Sequence, residues 1–220
     1  MRAPAPGCYP GLRDKRSTGR ICNLYRLTSP AEAVGALFRA EVAGGINHAS
    51  QIYPGYKGLV LAGGAVRAMT WGFPLAVIGR GGVRGRPRPV NNARSDRLAS
   101  PFWKSSFEHR RCLIPLSAFA EAQGPKGCKT RTWISLPGEP LFACAGLWRE
   151  SEEWGPVYAM VMTDAALATA QVHERMPVIV PPQAHGQWMR GSSAEALALC
   201  EPWTRAVTID RTDEPWAGRA

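Results

Sequence analysis

Leu141-Phe142-Ala143-Cys144-Ala145-Gly146-Leu147-Trp148, followed after a polar turn by Val157-Tyr158-Ala159-Met160-Val161-Met162-Thr163, is the stretch whose reading decides the fold. Both runs are short, apolar almost throughout, and bounded by Gly, Pro and charged residues, which is the pattern of β-strands. Working outward, similar runs predict strands at 21–27, 57–62, 66–71, 111–116, 131–136, 176–180 and 204–209. Helical spacing is sparser. Ser29-Pro30-Ala31-Glu32 reads as a capping box, and Val34, Leu37, Phe38 and Val42 extend a helix to about Val42, ended by Gly44-Gly45. Further helices are expected at 164–172, 182–190 and 192–200, the last capped by Ser192 and Glu195. Many short strands with few helices predict one α+β domain around a curved, barrel-like, mostly antiparallel sheet. The expected organisation is a disordered leader at 1–21, the domain at 22–210 and a tail at 211–220.

The chain has 220 residues, 45% hydrophobic and 20% charged, which suits a single core and excludes a disordered chain. No apolar run is long enough to span a bilayer, and the leader lacks the apolar centre of a secretory signal, so the expectation is a cytoplasmic, nucleoid-associated monomer. The net charge of +10 favours a polyanionic partner. Arginine is concentrated between Gly79 and Pro89, where Arg80, Arg84, Arg86 and Arg88 occur without an acid. That segment reads as a mobile basic loop suited to phosphate contacts. None of the six cysteines forms a Cys-x-x-Cys pair, so neither a metal site nor a cofactor is expected, and no disulfide framework.

Candidate chemical groups are spread along the chain. Cys22, in Ile21-Cys22-Asn23-Leu24-Tyr25, is a candidate nucleophile or a buried structural thiol. His173, between a helical stretch and the strand from Met176, titrates in the range useful for proton transfer. Glu121 ends a mostly apolar run and is expected to be partly desolvated, with a raised pKa. In Asn91-Asn92-Ala93-Arg94 the side chains of Asn92 and Arg94, two apart in an extended segment, face one side and offer an amide and a guanidinium to a ligand. Trp71 is available for base stacking or for core packing.

In order, Cys22-Asn23-Leu24-Tyr25, Tyr53-Pro54-Gly55, Trp71-Gly72-Phe73-Pro74, Asn92-Ala93-Arg94, Arg111 to Pro115 leading to Glu121, Phe142 to Trp148, and His173 with Met176-Pro177-Val178-Ile179 resemble the SOS response-associated peptidase family of abasic-site processing proteins. The resemblance covers about residues 21–209. It implies binding of single-stranded DNA, or a single-strand/double-strand junction, carrying an abasic site. It implies a cysteine at the mature N-terminus whose amine and thiol close a thiazolidine ring on the lesion aldehyde. It also implies autoproteolytic removal of the residues before that cysteine, and admits a DNA-strand lyase activity. By position, Cys22 is the crosslinking residue, Asn92 orients it, Arg94 holds a neighbouring phosphate, and Glu121 and His173 move protons. Two other readings remain: a cysteine hydrolase using Cys22, His173 and Glu121 on peptides or amides, and a non-covalent single-stranded nucleic-acid binder.

Two departures from the family pattern bear on this. Cys22 follows Ile21, so with the leader attached its nitrogen is an amide and cannot form a Schiff base; translation starting at Ile21, or cleavage, would free it. Ala122 stands where many relatives carry an aromatic, which thins the wall beside Glu121, and Ala76-Val77-Ile78 replaces an aromatic pair.

Overall fold

The computed structural model describes residues 22–216, and the expectations for 1–21 and 217–220 lie outside the described residues. Its strands are β1 (Leu24–Arg26), β2 (Glu41–Val42), β3 (Gln51–Ile52), β4 (Lys57–Ala62), β5 (Ala65–Trp71), β6 (Phe73–Ile78), β7 (Arg84–Val90), β8 (Asn92–Arg94), β9 (Arg111–Leu116), β10 (Ala118–Gln123), β11 (Thr130–Ser135), β12 (Phe142–Ser151), β13 (Gly155–Asp164), β14 (Arg175–Pro177) and β15 (Thr208–Pro215). The helices are α1 (Ala31–Phe38), α2 (Lys104–His109), α3 (Leu167–Ala170), α4 (His185–Arg190) and α5 (Ser193–Ala198).

The two opening runs become β12 and β13, paired antiparallel from Gly146↔Met160 to Ser151↔Gly155. They belong to a five-strand barrel in the order β5-β4-β9-β12-β13, closed where β13 returns parallel to β5 at Val157↔Thr70 and Tyr158↔Trp71. Closure buries both strands, which is why they read as continuous rather than alternating apolar runs. Pro115 is tolerated inside β9 because β9 meets β4 only at Leu61↔Leu113, so its missing N–H falls beyond that ladder. A second antiparallel sheet, β15-β11-β10-β1-β3, lies beside the barrel. Tyr25 and Phe119 of this sheet join the main core, while Leu24, Ala118, Ala120 and Trp133 form a small cluster with Tyr53 and Trp216. Each fully buried apolar side chain contributes on the order of 1.5–3 kcal/mol. The expected α+β barrel-like fold is therefore present.

Several boundaries differ from the sequence reading. Helix α1 stops at Phe38, because Arg39 adopts a left-handed conformation (φ 50) and Val42 turns back to pair with β5 at Val66. A Cβ on Gly35 would strike Val42, so the glycine permits this return. Its N-cap is Pro30 without a side-chain bond, so the Ser29 box does not form. The Ser192–Glu195 box does form. The expected helix at 164–172 shrinks to α3, since Asp164 is still paired in β13 with Arg175 and the Ala165 N–H donates to the Glu174 carbonyl. The basic loop is instead an ordered hairpin, β6–β7, from Phe73↔Val90 to Ile78↔Arg84. Residues 211–215 are not tail: β15 continues to Pro215 as a polar edge of the sheet.

Candidate functional site at Cys22

Residue Cys22 stands just before β1, whose pairing with β10 (Leu24↔Ala120) carries it alongside Glu121. Its backbone N–H donates to Glu121 Oε1 at 3.0 Å. Its carbonyl oxygen accepts two side-chain amides, Asn91 Nδ2 at 3.1 Å and Asn92 Nδ2 at 3.0 Å. The Asn91 amide also donates to Asn23 Oδ1 at 3.1 Å. Asn91 is anchored in turn, because its carbonyl accepts from Trp71 Nε1 at 3.0 Å and from the Met160 N–H at 2.9 Å. The site is thus suspended between β1 and β10 on one side and the β8–β13 ladder on the other.

Cys22 itself is fully buried, and its φ of 30 lies in the left-handed region that a Cβ disfavours. Such strain persists only where surrounding contacts impose it, and here three hydrogen bonds hold the residue from both of its peptide groups. The thiol Sγ lies 4.0 Å from the Leu24 carbonyl. Burial first, and then the Glu121 charge, push the thiol pKa up, so the sulfur rests as the neutral thiol.

Glu121 is 2% exposed in spite of the small Ala122 beside it. Burial raises its pKa to about 8, against the opposing effects of the Cys22 N–H and Lys129. The carboxyl is therefore mostly protonated at neutral pH and can give a proton as well as take one. His173 is half-buried, which lowers its pKa. Its Nδ1 accepts the Arg175 N–H at 3.0 Å, leaving Nε2 to carry the proton of the neutral ring. Among the described residues no hydrogen bond joins His173 to Cys22 or Glu121, although the Lys129 charge acts on both His173 and Glu121.

The remaining sequence-predicted residues separate. Arg94 does not join Asn92 in holding Cys22: its Nε and NH2 grip Asp96 at 2.9 and 2.6 Å. Arg175 NH1 approaches the same carboxylate at 3.9 Å and Asp164 at 3.7 Å, making a partly exposed charged cluster. Trp71 is fully buried between Tyr25 and Tyr158, so it is a core residue that positions Asn91 and has no face free for a base. Arg84, Arg86 and Arg88 are exposed on β7, and the Arg80 side chain lies outside the described residues. Sequence reasoning missed Asn91 and Arg175. The extended-segment reading covered only Asn92 and Arg94, but β8 begins at Asn92, so the Asn91 amide just before it reaches the same carbonyl as Asn92. Arg175 sits within the His173–Pro177 motif, and its partner Asp96 just beyond Arg94, which is the signal that could have linked them.

Four cysteines, Cys22, Cys112, Cys144 and Cys200, are free and buried. Among the described residues no cluster of three His, Cys, Asp or Glu is placed to hold a metal, and no helix is long and apolar enough to cross a membrane.

Comparison with known proteins adds to this geometry. Residues 21–212 match the family model described as SOS response associated peptidase (SRAP). The chain is 30% identical over 111 residues to abasic site processing protein YoqW of Bacillus subtilis (strain 168), an alignment covering 47% of this chain and 49% of that protein. It is 29% identical over 107 residues to abasic site processing protein YoaM of the same organism, covering 44% and 46%. The alignments thus span about half the length of these curated relatives. Among solved structures, a Bacteroides thetaiotaomicron protein superposes with a TM-score of 0.72 at 19% identity, covering 87% of this chain and 93% of that one. A Bordetella bronchiseptica protein gives 0.71 at 19% identity, covering 87% and 99%. These two establish the likeness of fold, and with the family model matching nearly the whole described chain, this protein belongs to the SOS response associated peptidase (SRAP) family.

Proposed function

We propose that this protein captures abasic sites in single-stranded DNA, or at a single-strand/double-strand junction, through a thiazolidine link to Cys22, after removal of the residues that precede it. The observation that carries this reading is the buried Glu121 carboxyl 3.0 Å from the Cys22 nitrogen. A buried carboxyl facing a neutral amide is a poor use of a titratable group, whereas one facing a free α-amine can exchange a proton with it. The backbone strain at Cys22 supports the same reading, because the φ restriction exists only while an acyl group is bonded to that nitrogen.

The chemistry follows from those atoms. Hydrolysis of the Ile21–Cys22 bond consumes one water and yields a carboxylate and an α-amine. That amine titrates near about 7.7–8.0, so part of it is neutral at physiological pH. It adds to the C1 aldehyde of the ring-opened sugar. Glu121 takes a proton from the α-ammonium 3.0 Å away and gives it to the departing hydroxyl, and water leaves as the imine forms. The neutral thiol then adds across the C=N bond: a C–S bond forms, and the thiol proton passes to nitrogen. Amine and thiol share one residue, so ring closure gains from proximity. Asn91 and Asn92 fix the Cys22 carbonyl and hence the direction of both groups. His173 serves as a proton carrier at the rim, and Arg94 meets a phosphate by exchanging its Asp96 partner. A strand lyase step belongs to the same imine chemistry.

The hydrolase reading has less support, since the thiol is held neutral and has no histidine bonded to it among the described residues. The test is a denaturing gel of protein beginning at Cys22 after incubation with an abasic oligonucleotide. A retarded band that disappears with Cys22→Ala is expected. The absence of a band, or an equal band for the variant, refutes covalent capture and leaves a non-covalent binder.

A further inference from the structure

The β6–β7 hairpin leaves the barrel at Phe73↔Val90, and its two strands pair only with each other. Gly72 (φ 124) permits the crossing, because a Cβ there would run into Pro89. The base of β7 continues directly into Asn91 and Asn92, so the hairpin is rooted in the residues that hold the Cys22 carbonyl.

Three properties define what the hairpin can recognise. Arg84, Arg86 and Arg88 are all exposed, and none forms an ion pair with an acid among the described residues. Next to them the tip presents Ile78 and Val83, 71% and 69% exposed, together with Val77. Pro87 and Pro89 remove two N–H donors from β7, so its free edge is a poor template for an added strand. A partner is therefore recognised by side chains rather than by strand addition. Guanidinium groups beside aliphatic side chains suit a polymer that offers phosphates and flat apolar faces together, which is nucleic acid.

Resting on the DNA-binding reading above, we infer that this hairpin is an arm that grips the strand flanking the lesion, with Arg84, Arg86 and Arg88 on phosphates and Val77, Ile78 and Val83 against unstacked bases. From Val90 to Arg84 the strand reaches about 20 Å at about 3.3 Å per residue. That distance is about six stacked nucleotides at roughly 3.4 Å each. The arm thus extends the footprint well past Cys22, in one direction.

The test is the salt dependence of non-covalent binding of the full chain to an undamaged single-stranded oligonucleotide longer than that span. Arg84→Ala/Arg86→Ala/Arg88→Ala is expected to lower the slope of log affinity against log salt by about 2, at about 0.7 per lost phosphate contact. Ile78→Ser/Val83→Ser should keep the slope and weaken binding about tenfold, as for the loss of one well-covered apolar side chain. Thermal unfolding of both variants should match the wild type, because every substituted residue is exposed. Unchanged slopes in the arginine variant, or wild-type affinity in the tip variant, overturn the arm and point instead to an acidic protein partner. Undamaged DNA makes this readout independent of Cys22 chemistry, so the arm and covalent capture can fail separately.

Discussion

Replacing Glu121 by Gln tests the electrostatics of the site most directly. The variant keeps an oxygen to accept the Cys22 N–H and removes the titration. In the protein with residues attached before Cys22, the folded carboxyl holds its proton up to about pH 8, whereas the unfolded one releases it near 4.5. The folded pKa is raised, so the full stability is present below pH 4.5 and is lost as pH climbs through the interval to about 8. Above that the curve is flat again. At about 1.4 kcal/mol per pH unit the loss has an upper bound of roughly 5 kcal/mol, with burial relaxing part of it. Urea unfolding followed by tryptophan fluorescence at a series of pH values between 5 and 9 measures it. The wild type should lose several kcal/mol over that range beyond whatever other groups contribute, and Glu121→Gln should lack that component. Protein beginning at Cys22 should differ, since an α-ammonium beside Glu121 favours the carboxylate and draws its pKa down, flattening the same interval. Parallel pH profiles for wild type and Glu121→Gln would refute the assignment of Glu121 as a buried acid.

Other outcomes follow from the same geometry. Asn91→Ala and Asn92→Ala each leave the Cys22 carbonyl one donor, costing on the order of 1 kcal/mol in denaturant unfolding, and the double variant should crosslink far more slowly than either. Gly58→Ala places a Cβ against the hydroxyls of Tyr25 and Tyr158, which hydrogen-bond each other in the core, and should destabilise by about 1–3 kcal/mol without touching the Cys22 contacts. Trp71→Phe keeps the ring in the core but drops its bond to the Asn91 carbonyl, so crosslinking should slow more than stability falls.

The strands of the barrel were legible in the chain because burial on both faces forces apolar residues at successive positions, and a run such as Val157–Met162 admits little else. The Ser192 box was legible for a similarly local reason, since donor and acceptor lie within one turn. Strand β7 was not, because Arg-Gly-Arg-Pro-Arg-Pro has no apolar face and is held by β6 alone. The start of edge strand β15 falls within the expected strand at 204–209, but its polar continuation to Pro215 was hidden for the same reason, and Arg39 ended α1 through a backbone conformation that composition does not reveal.

For the site, the sequence determined which groups are present: a thiol at Cys22, a carboxyl at the end of an apolar run, a pair of asparagines, and a histidine before Met176-Pro177. Only the tertiary structure decided which of them meet. Cys22 and Glu121 are 99 positions apart and touch because β1 and β10 pair; Asn91 and Asn92 arrive through β8 and β13. It also decided against one assignment, since Trp71 is enclosed by the core, and it pairs Arg94 with Asp96 rather than with Cys22. The physical reason is that side-chain chemistry is local to a residue, whereas burial, and hence the raised pKa of Glu121, belongs to whatever the fold packs around it.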